Sequence, residues 1–501
     1  MKNNGIKKFN FLAVIILMSL TAKSQSNTLW HYNVEGQSLL APANKLPFWL
    51  RVNQAGSIPL AGTSVGFIGN IYRSYDTSKH QFIRWGAGVE ARANVGNTAN
   101  LLIIQAYIKL KKGIFQLKAG RTRDITGLID TTLSSGAFSI SGNALGIPKV
   151  ELSIPDYYSL PFWNKLFSIK LNYAFGWLGN TRLTQYSLIS KADTYFQQNS
   201  LYIRVGKPHW KLKLFGGINH NVMYGHDRQI FGSDFTLSNF QSFIYAAIGK
   251  TYHPPVVDYN GVQSKVGNHI GSIDFSAQYE FHNIRLMAYR QNLYDVGAIA
   301  HLANIVDGVN GISLTNKKVN NSALFQWKKA LLEFVYTKNQ AGGFAASEKT
   351  SSGDEDYYNN YIYADGWSYH NLNLGNPLLT DRTYARSGLV NDPNDHIIDT
   401  RVIALNAGLL SRVSTANILV KLVYSKNYGT YGTAIEGHST GGKHYPPQYG
   451  IFSEVKEFSG YMEMSENLGN TFVAGFVVAG DMGGLYYNSM GLLLKLKKTF
   501  K

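Results

Sequence analysis

The feature that most constrains this chain is the strict alternation of apolar and polar residues along repeated stretches. In IRWGAGVEARAN (83–94), Ile83, Trp85, Ala87, Val89, Ala91 and Ala93 fall on one side; Arg84, Glu90, Arg92 and Asn94 fall on the other. SIDFSAQYEFH (272–282) repeats the pattern, with Ile273, Phe275, Ala277, Tyr279 and Phe281 opposite Asp274, Gln278, Glu280 and His282. Residues 210–219 put Lys211 and Lys213 on the wet side, and Leu332, Phe334 and Tyr336 alternate with Glu333, Val335 and Thr337. Ile418, Val420, Leu422 and Tyr424 share a further apolar face. A period of two belongs to a β-strand whose faces meet different surroundings. These stretches have the length of about ten residues that a tilted strand needs to cross a bilayer.

The other signals choose between a soluble sheet and a membrane barrel. Lys2, Lys7 and Lys8 precede a ten-residue apolar run, FLAVIILMSL (11–20), and Ala22 and Ser24 are small residues before Gln25. This is the pattern of a cleaved secretory signal over residues 1–24. The run is shorter than the roughly 20 residues of a spanning helix. No second long apolar run follows, and the chain has no cysteine, so disulfides and an N-terminal lipid anchor are excluded. Tyr (32), Phe (26) and Gly (49) are abundant while the mean hydropathy is only −0.15, the balance expected when strands alternate between lipid and a wet lumen. The reading is an all-β transmembrane antiparallel β-barrel over residues 25–501, in the outer membrane of a Gram-negative cell.

The last strand carries the clearest pattern. Tyr486, Asn488, Met490, Leu492, Leu494, Leu496 and Phe500 are assigned to one face, with Lys495 and Lys497 on the other. An aromatic so near the end of a terminal strand is a mark of barrel assembly substrates, which makes the assembly machinery and outer-membrane lipids expected partners. In the lumen, Glu90 is expected to pair with Arg84 or Arg92. Segments 133–163, 287–314, 341–386 and 430–448 alternate poorly and are expected as long extracellular loops. VGAIAHLANIVDGV (296–309) has helical character and is expected to form a short helix in or over the lumen.

The net charge of +17 would suit an anionic partner. Export argues against nucleic acid. Two G-x-S-x-G matches, Gly62–Gly66 and Gly437–Gly441, lack the strand-to-helix turn that such a serine needs. The 13 histidines show no metal-ligand spacing, and neither a metal nor another cofactor is expected. DEDYYNNYIYADGWSY (354–369) gathers aromatics with four acids and two asparagines. If it is extended, Tyr361, Tyr363, Asp365, Trp367 and Tyr369 share one face. Such a row can stack sugar rings and hydrogen-bond their hydroxyls; the alternative is an aromatic girdle at the membrane interface. His220 and Tyr224 are the next candidates.

Seven pieces, in one order, resemble the capsule-assembly Wzi family. They are PFWLRVNQAGSIP (47–59), LSSGAFSISGNALGIPKVELSIPDY (133–157), GINHNVMYG (217–225), GNHIGSIDF (267–275), DGVNGISL (307–314), DYYNNYIYADGWSY with GNPLL (356–379) and NYGTYG (427–432). Tyr224 departs from the pattern, standing where a Trp followed by Gly-Gly is expected. The resemblance implies a barrel of about eighteen strands with a plugged lumen and extracellular helices. It also implies a lectin rather than an enzyme, holding exported surface polysaccharide on the cell. The competing readings are a porin or specific diffusion channel, with luminal Arg and Lys as its lining, and a lipid-acting enzyme using one of the two serines.

Overall fold

The computed structural model describes residues 29–500 except the short segments 43–44, 79–80, 98, 254–263, 296–297, 319, 321, 344–352 and 441–442. The expected signal peptide lies outside the described residues. Eighteen strands form the wall. They are β1 (Trp30–Leu40), β2 (Ser64–Arg73), β3 (Arg84–Val95), β4 (Asn100–Lys112), β5 (Phe115–Arg121), β6 (Lys149–Ser159), β7 (Phe167–Arg182), β8 (Lys191–Val205) and β9 (Leu212–Tyr224). The second half comprises β10 (Asn268–Glu280), β11 (Ile284–Asp295), β12 (Gly308–Asn316), β13 (Phe325–Tyr336), β14 (Val402–Val413), β15 (Ala416–Asn427), β16 (Val455–Leu468), β17 (Phe472–Gly483) and β18 (Ser489–Phe500). Each pairs antiparallel with its sequence neighbours, and β1 pairs with β18, with Tyr32 opposite Phe500. The sheet is therefore closed and leaves no edge, which is what a bilayer demands of a β-structure.

Alternation decides which way each side chain points. Trp85 and Val89 of β3 are exposed on the outer face, while Glu90 and Arg92 are buried inside. Leu332 and Phe334 of β13 likewise face out, and Glu333 and Val335 face in. Among the described residues, no helix is long and apolar enough to cross a membrane. At one end, the turns 113–114, 414–415 and 469–471 are tight; Gly113 adopts φ +56° in the first. The other end carries the long segments 122–148, 225–267, 337–401 and 428–454. In barrels of this kind, the short-turn end is periplasmic and the long-loop end extracellular.

Several boundaries differ from those expected. The second half of 133–163 is β6, and most of 287–314 is β11 and β12. In β6 the alternation is present, with Lys149 and Glu151 inward and Val150 and Leu152 outward, but it runs for only six residues before the register shifts after Ile154; in β11 polar Arg290 and Asn292 interrupt the outer face. Among its described residues, the 296–309 stretch holds a 3₁₀ turn at Ala298–His301 and no longer helix before β12 begins. Tyr486 lies outside β18; it is buried and stacks on Phe48 at 5.8 Å. Glu90 faces the lumen as expected, but its cation is Arg123, from the segment after β5, and Gln105 Nε2 donates to it at 2.7 Å. Arg92 instead donates to Asn94 Oδ1 at 2.7 Å.

The lumen is filled. Segments 45–63, 122–148 and 353–400 fold inward from the extracellular end and share one core with the inner wall. Trp367 is 0% exposed; its Nε1–H donates to Ser139 O at 2.7 Å and its ring lies 6.0 Å from Phe196 of β8. Phe138 packs between Tyr357 and Tyr358, at 5.2 and 5.0 Å. Wall and plug are joined by charge-assisted hydrogen bonds. Glu333 accepts from Ser135 N–H at 2.9 Å and from the hydroxyls of Ser134 and Tyr289 at 2.6 Å each. The short helix α1 (Phe48–Arg51) is anchored by its Phe48 N–H, which donates to Asp481 Oδ2 at 2.8 Å.

Candidate functional site

The expected aromatic row is not formed. Residues 354–369 are turns rather than a strand, with Tyr358 at φ 75° and Gly366 at +57°, and only Ser368–Tyr369 enter a two-residue ladder. Tyr363, Trp367 and Tyr369 are buried in the plug. Tyr369 OH accepts from Arg121 Nη2 at 2.9 Å. Asp365 is held by Arg182, whose Nη2 stands 2.6 Å from its carboxylate. The sequence pattern could not separate these rings from surface rings, because a buried Trp or Tyr with one hydrogen bond has the same composition as a sugar platform. Of the row, Tyr361 alone is well exposed, at 52%.

His220 and Tyr224 are also displaced from the expected role. Both point out of the barrel, not into it, and a segment wrapped over the outer wall buries Tyr224 and partly covers His220. Helix α2 (Asp227–Phe231) begins that segment and helix α3 (Asn239–Ile248) lies across the wall. His220 Nδ1 is 2.8 Å from Tyr294 OH, and Tyr224 OH accepts from Gln197 at 3.0 Å. Val222, Tyr224, Phe235 and Ala246 form a small second core there.

What surrounds Tyr361 is a composite surface at the extracellular end. The 183–190 connection between β7 and β8 is tied on both sides. Thr184 N–H donates to Ile362 O at 2.9 Å, Ala364 N–H to Arg182 O at 3.0 Å, and Leu188 N–H to Ile230 O at 2.9 Å. The Thr184 hydroxyl also bonds to Tyr361 O. These ties join the segments that carry Tyr361, Tyr186, which is 68% exposed, and the exposed polar residues Gln185, Arg228 and Gln229. The segments so joined expose phenol rings, amides and a guanidinium group, which offer flat apolar faces and hydrogen-bond donors. Tyr186, Gln185 and Arg228 were not among the sequence candidates. Gln185 and Tyr186 sit in the β7–β8 connection and Arg228 in the β9–β10 connection, which meet only once the wall strands are paired.

Buried carboxyls underlie this end of the molecule. Asp227, Asp307 and Asp356 are each pushed up to about 6, chiefly by burial. Asp307 nevertheless accepts from Tyr357 OH at 2.7 Å and Asp356 from Thr400 Oγ1 at 3.1 Å. Beneath the plug a cavity of about 340 Å³ remains, with Trp49, Lys421, Tyr461 and Glu463 in its lining. The two serine motifs form no nucleophile elbow: Ser64 is buried at the start of β2, and Ser439 lies in the short strand His438–Thr440. Among the described residues, no group of three or more His, Asp or Glu is placed to hold a metal.

The fold and this site define a plugged, eighteen-stranded outer-membrane β-barrel that turns a composite loop surface outward. The chain belongs to the family described as capsule assembly protein Wzi, whose model matches residues 59–389. Among solved structures it is similar to Wzi of Escherichia coli, an outer-membrane protein involved in group 1 capsule assembly and a carbohydrate-binding β-barrel. That match has 11% identity, covers 97% of this chain and 86% of that one, and has a TM-score of 0.52. OccK5 of Pseudomonas aeruginosa is more distant, at 10% identity and a TM-score of 0.45, with 95% and 99% of the two chains covered. No curated protein matches the chain.

Proposed function

We propose that this protein binds exported capsular or exopolysaccharide at its extracellular end and holds it on the cell surface, after delivery by a cleaved signal peptide and insertion by the barrel assembly machinery. The observation that carries the reading is the pairing of a lumen filled by its own chain with exposed Tyr186 and Tyr361 above it. A filled lumen favours a surface role over the alternative of a diffusion channel. Membership of the Wzi family and the fold of the carbohydrate-binding E. coli barrel support the same direction. The tyrosine faces would stack on sugar rings, while Gln185, Gln229 and Arg228 would donate to hydroxyls or carboxylates. The protein acts here as a binding surface and not as an enzyme.

The test is binding of the purified barrel to immobilised polysaccharide from the producing cells, together with polysaccharide retention by cells lacking the gene. The reading expects saturable binding and shedding of polysaccharide from the deficient cells. Unchanged retention combined with a steady open conductance in planar bilayers would favour the channel instead.

A further inference from the structure

The outer wall is not uniformly apolar. A band about 25 Å tall, crossed by strands that climb about 2.5 Å per residue when tilted, needs about five outward apolar positions per strand. β7 supplies five: Ile169, Leu171, Tyr173, Phe175 and Trp177. β8 supplies only Val205, Ile203 and Leu201 from its periplasmic end before Asn199 and Gln197 face outward. β11 supplies Ile284, Leu286 and Ala288 before Arg290 and Asn292. Arg290 facing acyl chains would be strongly unfavourable.

Two covering segments take up Gln197, Asn199 and Arg290, while Asn292 donates to Ile273 O of the neighbouring strand. Gln197 Nε2 donates to Phe243 O at 3.1 Å and Asn199 Nδ2 to Ala247 O at 3.0 Å, so α3 lies against the outside of β8. Phe243 also packs on the outward rings of Phe175 and Tyr173, at 6.0 and 6.5 Å. Arg290 Nη2 donates to Ile305 O at 2.5 Å and to Asp307 O at 3.2 Å, and its Nη1 to Asn310 Oδ1 at 2.7 Å. Each cover turns apolar side chains away from the wall. On α3 these are Phe240, Ile244 and Ile248, one stripe at spacing i, i+4, i+8, with Phe240 72% and Ile248 67% exposed. After the 3₁₀ turn they are Leu302, Ile305 and Val306, also exposed. The helix is well made for an external element: Ser238 and Gln241 form a capping box, and Gly249 closes it at φ +62°.

We infer that α3 and the segment after Ala298–His301 lie in the outer leaflet and present the barrel's lipid-facing surface along β8–β12, with acyl chains as their partner. The apolar stripe continues the belt of β7 at the place where the wall's own belt stops. The covers thus convert a polar stretch of wall into a hydrophobic one.

The chain has no cysteine, so single labels are clean. Ile244→Cys and Leu302→Cys carry a spin label in phosphatidylethanolamine–phosphatidylglycerol vesicles, and collision with oxygen and with a water-soluble nickel chelate is measured. Leu332→Cys on the β13 belt and Tyr186→Cys on the outer surface are the references. The expected result at both sites is loss of nickel accessibility to the level of Leu332→Cys, with oxygen accessibility retained. Nickel accessibility as high as at Tyr186→Cys, at either site, overturns the inference. Ile248→Cys repeats the test one turn along the helix should Ile244→Cys fail to insert.

Discussion

The barrel wall and the plug are built from similar residues on opposite principles. In the wall, Leu332 meets lipid, Glu333 meets the plug, and long ladders such as β13–β14 hold the backbone. In the plug, strands are only two or three residues long, so side chains replace the ladder. Asn373 shows this: its Nδ2 donates to Asn376 O at 3.1 Å and Leu379 O at 2.8 Å, and its Oδ1 accepts from Gly375 N–H at 2.7 Å. The difference teaches that wall stability is spread over many equivalent pairs, whereas plug stability is concentrated in a few buried groups. Single substitutions should separate the two.

The largest effect is expected at the centre of the plug. Trp367→Ala removes a fully buried indole and leaves Ser139 O without its donor, a cost of about 3–5 kcal/mol. The plug should become sensitive to protease between residues 353 and 400 and the barrel should conduct, while heat-modifiable migration of the wall persists. Loss of the folded barrel itself would mean that wall and plug are one cooperative unit.

A wall substitution should give the reverse pattern. Leu332→Arg places a cation in the lipid belt and costs roughly 2–4 kcal/mol near the midplane. Folding yield into vesicles should fall, yet any protein that inserts should keep a protease-resistant plug. An unchanged yield would show that Leu332 does not face lipid.

The plug and extracellular segments should also respond to pH. Asp227, Asp307 and Asp356 are raised to about 6 in the folded state, so the fold favours their protonated forms. Their contribution, roughly 1–3 kcal/mol apiece, is fully present below the ordinary carboxyl range near pH 4 and is lost as pH rises through about 6. Asp124, held below its ordinary value mainly by Lys149 against the cost of burial, acts in the opposite sense, but only below about pH 4. Hydrogen exchange corrected for intrinsic rate should therefore show these segments less protected at pH 8 than at pH 5. Greater protection at pH 8 would contradict the assignment.

The wall was legible because alternation reports directly which face meets lipid: β3, β10 and β13 were read residue by residue. It failed where a strand is interrupted or its outer face is covered. β6 alternates for only six residues before its register shifts, and in β8 and β11 the outward Gln197, Asn199 and Arg290 contact a cover, so the outer face there is not apolar. The plug was illegible for a related reason. Trp367 and Tyr363 are buried by segments more than two hundred residues away along the chain or by the closed wall, and no local pattern encodes that closure. Tyr361 kept its exposure because its turn ends at the barrel mouth. Arg123 as the partner of Glu90 was likewise invisible, since the pairing joins the wall to a connection that folds back inside.

The central claim is that polysaccharide is held on the composite extracellular surface and not in the lumen. The direct measurement is the affinity of the Tyr186→Ala/Tyr361→Ala barrel for the producing cells' polysaccharide, at matched amounts of folded protein. Removing two exposed rings should weaken binding by about tenfold to a hundredfold, corresponding to roughly 1–3 kcal/mol of lost contact. The plug and the heat-modifiable wall should be unaffected, because both side chains project from the surface. Binding equal to that of the parent would contradict the account and move the site elsewhere on the molecule.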